Sequence, residues 1–443
     1  MQSNSQPERN LLIGNERDKR HRGSLAWSSS PGLPAAGWLG VLLFGSLLAV
    51  FPSSAAGADR WLGFRGPGGR SAALDAHPPV EFDVDQGENV AWQAETSGRS
   101  VGGMVILNDT VIVTGSGGED QRDIFVEGFD AQTGVRRWVR PMRSLGRPYT
   151  HPTSANASPT PASDGEHVFA LFSSCDLVCV DAEGRVLWYR ALAVDYPKAG
   201  NDISMSSSPA VIDGVVMVQL ENQGDSFALG LDTQTGATLW RRERPRSSNW
   251  SSPIAVETPD GEAAFVLQHA SRLDVLSADD GETLHSLDIN CDTTASSAWT
   301  PPLLLVPSEG LTALRLIDDS LSVAWQNNRL RSQRCSPVIA GNRVYCGRGS
   351  VLVAGDLADG SVTWQARLPD IGSVWATPIA TASGIYVFDQ SGKGVVVVDR
   401  GDEAEIVAEF DVKQPVLGSP AVSGEALYLR TERGLIKLAS TSE

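Results

Sequence analysis

From about residue 88 to the C-terminus, apolar residues come in short runs separated by Gly, Asn, Asp and Ser. In "SSPAVIDGVVMV", from Ser207, two such runs flank an Asp-Gly turn. The same shape recurs as "SSPIAV" at 251, "SPVIAGNRVYC" at 336, "TPIATASGIYVF" at 377 and "SPAVSGEALYL" at 419, with "SPTPAS" at 158 and "TPPLLL" at 300 as further openings. "VGGMVILNDTVIV", from Val101, has the shape without the Pro. Val, Ile, Leu and Tyr in short runs bounded by turn residues predict strands and hairpins. No sustained 3.6-residue amphipathic pattern follows residue 57.

A second phrase alternates with the first. "DAQTGVRRW" ends at Trp138, "DAEGRVLW" at Trp188, "DTQTGATLW" at Trp240 and "DLADGSVTW" at Trp364. "SADDGETLH" ends at His285, where the residue is a packing substitution for Trp. "SLSVAW" at Trp325 has lost its turn, "NVAW" stands alone at Trp92, and "DRGDEAEIV" (399–407) is degraded. The spacing of roughly 40–50 residues is that of propeller blades. Each unit reads as four strands: a hairpin, a third run into an Asp-x-x-Thr-Gly turn, and a fourth run carrying Trp. The Gly supplies positive φ at that turn. The Pro sits where a first strand begins and costs no ladder bond.

The chain therefore reads as an eight-bladed all-β propeller with antiparallel four-stranded blades. It begins with a lone fourth strand, Asn89–Glu95, and ends with three strands over 419–438. The first is expected to complete the last blade and remove the open edge. Domain organisation follows: 1–56 a basic region with an export signal, 57–87 a leader, 88–440 the propeller.

The N-terminal assignment rests on an uncharged run, Ala35–Phe51, after a basic-leaning stretch and before "PSSAAGA". This predicts a signal peptide cut after Ala56 or Ala58, hence a periplasmic or secreted protein. The alternative is a membrane anchor through 35–51. No Cys follows the run to carry a lipid. The first 56 residues are net +2, so the remainder of this −17 chain is −19. An acidic body argues against nucleic acid as partner. Five cysteines (175, 179, 291, 335 and 346) leave one unpaired at least. Cys335–Cys346 and Cys175–Cys179 are each placed to bridge or to be buried as small hydrophobes.

The two phrases together resemble the repeat of the PQQ-like (quinoprotein-type) β-propeller family, over about 61–438. "WLGFRGPGGRS" (Trp61–Ser71) resembles the leader seen before such propellers in exported bacterial proteins. The family includes quinone dehydrogenases and BamB-like outer-membrane assembly scaffolds. The dehydrogenase resemblance implies PQQ, calcium and an Asp base; the larger members add adjacent cysteines. This chain has no Cys-Cys pair, and its Asp residues 181, 232 and 356 fall in turns, where Asp bonds its own backbone. No catalytic residue is carried over. The expected function is a non-enzymatic scaffold binding protein or peptide segments of the cell envelope, with no cofactor. The alternatives are a PQQ-binding redox enzyme and a carbohydrate-binding propeller.

Candidate binding residues lie on segments that join one blade to the next: Tyr149, His151, Asp202, Asn249, Trp250, Trp299, Arg331, Arg334 and Trp375. Aromatics with Arg and Asn around a concave mouth suit a planar ligand or a peptide. The competing reading is that each Trp fills a junction between blades. Asn201, Asp202, Asn249, Asp292 and Asp370 are the oxygen donors available to a calcium ion at that mouth. The six His residues show no ligand spacing, and no phosphate-loop or hydrolase-elbow motif occurs.

Overall fold

The computed structural model describes residues 60–200, 205–317 and 320–440. The expected export signal, Asn201 and Asp202 lie outside the described residues. Among those described, no helix is long and apolar enough to cross a membrane.

Eight antiparallel sheets follow one another along the chain. Blade I is formed by Val105–Leu107, Thr110–Gly117, Asp123–Asp130 and Arg136–Arg143. Blade VI is formed by Val338–Ala340, Arg343–Arg348, Val351–Asp356 and Val362–Arg367. Blade VIII takes three strands from Ala421–Leu438 and its fourth from Val90–Glu95, with Gln93 opposite Ile436. The only α-helix among the described residues is one turn, Leu192–Asp195. The blades pack through apolar side chains from both faces of their middle strands. Val216 and Val218 of blade III, for example, meet Phe169 and Leu171 of blade II.

The antiparallel order gives the ring two unlike faces. The first-to-second and third-to-fourth hairpins lie on one, here the turn face. The second-to-third turns and the connections between blades lie on the other, here the entry face.

On the outside, each Trp of the repeat docks on the following blade. Trp240 Nε1 donates to Ala278 O at 2.8 Å, and Trp188 Nε1 to Thr233 O at 2.9 Å. The ring covers the glycine of that blade's turn: a Cβ on Gly281, whose φ is 68°, would stand 2.6 Å from the Trp240 ring. Trp364 is the exception: its Nε1 donates to Asp399 Oδ1 at 3.0 Å, and Gly401 of the next blade's turn lies uncovered. His285 and Ala408 hold the Trp position ahead of the blades that lack the turn: only 318–319 separate the strands in blade V, and in blade VIII the third and fourth strands come from opposite ends of the chain.

Around the axis, the hydroxyls of the Ser/Thr-Pro phrase form a belt. The N–H of Gly103 donates to Thr160 Oγ1 at 2.8 Å, Thr160 to Ser208 Oγ at 3.0 Å, and Ser208 to Ser252 Oγ at 2.9 Å. The series continues through Ser296, Ser336, Thr377 and Ser419. At the seam between blades VIII and I the hydroxyl is replaced by Gly103, and a Cβ there would be 3.2 Å from Ser419 O. Two bare backbones meet at that point.

This belt corrects one reading of the sequence. In blade V the opening position is Ser296, not Thr300. "TPP" ends the first strand, Ala298–Thr300, and turns into the second, Leu303–Pro307. All five cysteines are free thiols, and both candidate pairs are buried unbridged.

Candidate functional site

The leader closes the axis at the turn face. Trp61 exchanges backbone hydrogen bonds with Ile106 of blade I at 2.8 and 3.0 Å, and Ser163 of blade II donates to Leu62 O at 2.8 Å. The chain then crosses to the far side. Ile339 of blade VI donates to Arg70 O at 3.0 Å, Ala380 of blade VII donates to Ser71 O at 3.0 Å, and Ala72–Ala73 adds a parallel strand inside blade VII. In the middle stands Arg65, 1% exposed, with Nη1 donating to Gly69 O at 2.8 Å and Nη2 to Ser297 O at 2.6 Å. Burial pulls its guanidinium down to about 9. Glycine is required here: Gly68 has φ 62°, and a Cβ on it would stand 2.9 Å from Trp299 O. The leader thus fills the mouth at the turn face.

The predicted site residues separate into three groups. Two are structural. Trp299 is 5% exposed in the first strand of blade V, packed with Ile254 and Leu304, so it does not line the mouth. The misplaced phrase explains the error. Asn249 is buried: its amide donates to Glu221 Oε2 at 2.8 Å and Gln268 O at 2.7 Å, while its carbonyl accepts from the Ser251 hydroxyl at 2.8 Å. It belongs to an ionic network between blades III and IV, in which buried Arg244 meets Glu221 at 2.6 Å and pairs with Asp274. Burial opposes the Arg244 charge, but the two carboxylates outweigh it and hold the guanidinium above the usual arginine value.

Tyr149, His151 and Trp250 form the second group, the first two on the connection from blade I to blade II and Trp250 on that from blade III to blade IV. Tyr149 is 56% exposed, His151 is exposed with Nδ1 2.8 Å from Thr153 Oγ1, and Trp250 is half-buried with its backbone N–H on Thr293 O at 2.8 Å. The third group is brought together. The Arg334 guanidinium lies 4.2 Å from the centroid of the half-buried Trp375 ring, and exposed Arg331 is on the same connection.

The described oxygen donors do not fit a calcium–quinone group. Asn249 is fully engaged, Asp292 Oδ1 accepts the Thr294 and Ala295 amides at 2.6 and 3.0 Å, and Asp370 is exposed on another connection. Among the described residues no group of three or more His, Cys, Asp or Glu could hold a metal ion, whereas calcium takes about six to eight oxygens. No step is derived through that group. One other polar pair is suggestive of a nucleophile and base, Ser247 Oγ and His269 Nε2 at 2.6 Å. Nδ1 of that ring faces the Ser271 N–H at 3.5 Å and no carboxylate, so nothing orients it as a base.

Comparison with known proteins agrees with this architecture. No curated protein matches the sequence. Among solved structures, BamB from Moraxella catarrhalis superposes with a TM-score of 0.58 at 15% identity, covering 79% of this chain and 98% of that one. The quinohemoprotein alcohol dehydrogenase ADHIIG from Pseudomonas putida HK5 superposes with a TM-score of 0.61 at 12% identity, covering 87% of this chain and 81% of that one. At such identities the likeness is one of fold. The model of the family described as outer membrane protein assembly factor BamB matches residues 21–214 and 198–303. With more than half of its length matched, the chain belongs to that family of PQQ-like β-propellers.

Proposed function

We propose that the protein is a non-enzymatic scaffold of the cell envelope that binds protein segments on its entry face. The observation that carries this is the asymmetry of the ring. The leader occupies the turn-face mouth at the axis; connections on the entry face expose Leu145 (63%), Tyr149 (56%) and Val194 (60%) to solvent, and the turn face exposes Val135 (64%) and Leu74 (46%). Apolar and aromatic side chains on loops held by a rigid ring suit contact with another chain. Family membership supports the envelope setting, because the family is described by outer-membrane assembly. The fold alone does not separate this reading from a quinone enzyme, since folds host many functions. What supports it over that alternative is that Asn249 and Asp292 are engaged in hydrogen bonds of the fold.

The test is titration of the purified protein with PQQ and Ca²⁺, followed by absorbance, with dye reduction on alcohol and sugar substrates. No stoichiometric complex and no dye reduction are expected. A stoichiometric micromolar complex that reduces dye contradicts the proposal.

A further inference from the structure

Many arginines of this acidic body are tied to carboxylates: Arg99 to Glu432, Arg137 to Asp130, Arg190 to Asp195 and Arg241 to Asp225, all at 2.6 Å. One end of blade VI gathers several that are not. Arg331, Arg334, Arg348 and Arg367 are all exposed, and among the described residues none has a carboxylate within salt-bridge distance.

Strand register brings them together. Val351 pairs with Arg348 on one side and Arg367 on the other, so the three side chains leave the same face of the sheet. Val351 packs in the cluster shared with blade V, which fixes that face as the one turned toward the incoming connection. Gln333 of that connection donates to Gly347 O at 3.1 Å, pinning Arg331 and Arg334 beside the end of the same strand. Trp375 stands next to them under Arg334, and its Nε1–H is buried without an acceptor. Glu309 and Asp370 are the exposed carboxylates on the neighbouring turn and connection, and neither pairs with these arginines.

Like charges gathered at one end of a blade repel one another, and the screening length at physiological salt is about 8 Å. In a chain of net charge −17, such a cluster is complementary to a negative partner. We infer that the entry-face end of blade VI is a docking surface for an acidic peptide segment of a partner protein. Arg331, Arg334, Arg348 and Arg367 bind its carboxylates, and Trp375 offers the exposed part of its ring. Arginine forks suit carboxylates. A narrow peptide meets the patch alone, whereas an anionic bilayer also faces the acidic remainder of the body, which favours the peptide over lipid.

The inference rests on the protein-binding reading above and names the partner chemistry. The test uses a fluorescein-labelled oligo-glutamate peptide, with fluorescence anisotropy at low and physiological salt. Three proteins are compared: wild type, the patch variant Arg331→Glu, Arg348→Glu, Arg367→Glu, and a control of equal charge, Arg185→Glu, Arg315→Glu, Arg400→Glu. All six positions are exposed, and thermal melts by circular dichroism check that each variant folds. The patch variant is expected to lose roughly tenfold or more in affinity, the control less than about twofold, and binding should weaken with salt. No binding to wild type, or equal loss in both variants, overturns the inference. So does patch-dependent binding to phosphatidylglycerol vesicles with none to the peptide. A protein that binds the peptide and also forms the quinone complex refutes the function proposed above and leaves this inference standing. A protein that does neither loses only this inference.

Discussion

The two ends of the ring's axis are built from different chemistry. At the turn-face end, backbone meets backbone. The leader hydrogen-bonds to inner strands of several blades and seats a buried arginine on carbonyl oxygens. At the entry-face end, the belt of hydroxyls secures the inner strands, and the connections above it keep charged and aromatic side chains in solvent. The first end is spent on holding the ring shut. On the proposed reading, the second is the end that meets a partner. The difference teaches that a repeat can be uniform in architecture while its two faces diverge in role.

The largest expected effect lies where the ring is held together. Trp240→Ala removes a buried ring, its hydrogen bond to Ala278 and the cover over Gly281, and should cost about 3–5 kcal/mol. Urea denaturation measures it. His285→Ala, at the junction without a glycine turn, should stay within about 1 kcal/mol. Equal losses would mean that the docked Trp is no special tie.

Next comes the leader. Gly68→Ala places a Cβ against Trp299 O at a φ of 62°, which should cost about 1–3 kcal/mol. If melting is unchanged, the leader is not seated on the axis as described. A comparable or smaller effect is expected from Ser252→Ala, which leaves the buried Ser208 N–H without its acceptor. Its cost is about 1–3 kcal/mol, read by the same denaturation.

The fold was largely legible because its signals are local. Short apolar runs, Gly-bearing turns and a repeated Trp each lie within a dozen residues, and counting them gave eight blades. The belt was written in the same text, as Ser or Thr before Pro. Its meaning was hidden because each hydroxyl serves the preceding blade, some 40 residues away in sequence. The site was less legible for the same reason. Arg331, Arg334 and Trp375 stood out on connections, but Arg348 and Arg367 sit at strand ends, and only the pairing through Val351 adds them to the group. Trp299 misled because "TPP" copies the opening phrase one strand late. Asn249 misled because its partners, Glu221 and Gln268, come from two blades.

The smallest effect is one of pH. His269 is held below its usual value, by burial first and then by the nearby Arg244 charge, against the pull of Glu221 and Asp274. A depressed histidine contributes stability that is full above about 6.5, its unfolded value, and is lost as pH falls through the lower folded value. Thermal melts should therefore drop between neutral and mildly acidic pH, and His269→Gln should reduce that drop. An unchanged pH profile in the variant contradicts the assignment.

The central claim, that partners meet the entry face and not the turn face, is tested most directly by site-specific photo-crosslinking in the cell envelope. A benzophenone amino acid is placed at Tyr149 or Arg331 on the entry face, and at Leu74 or Val135 on the turn face, all exposed positions. The account predicts discrete protein adducts from Tyr149 and Arg331 and none from Leu74 and Val135. Adducts from the turn-face pair alone, or from neither pair, would contradict it.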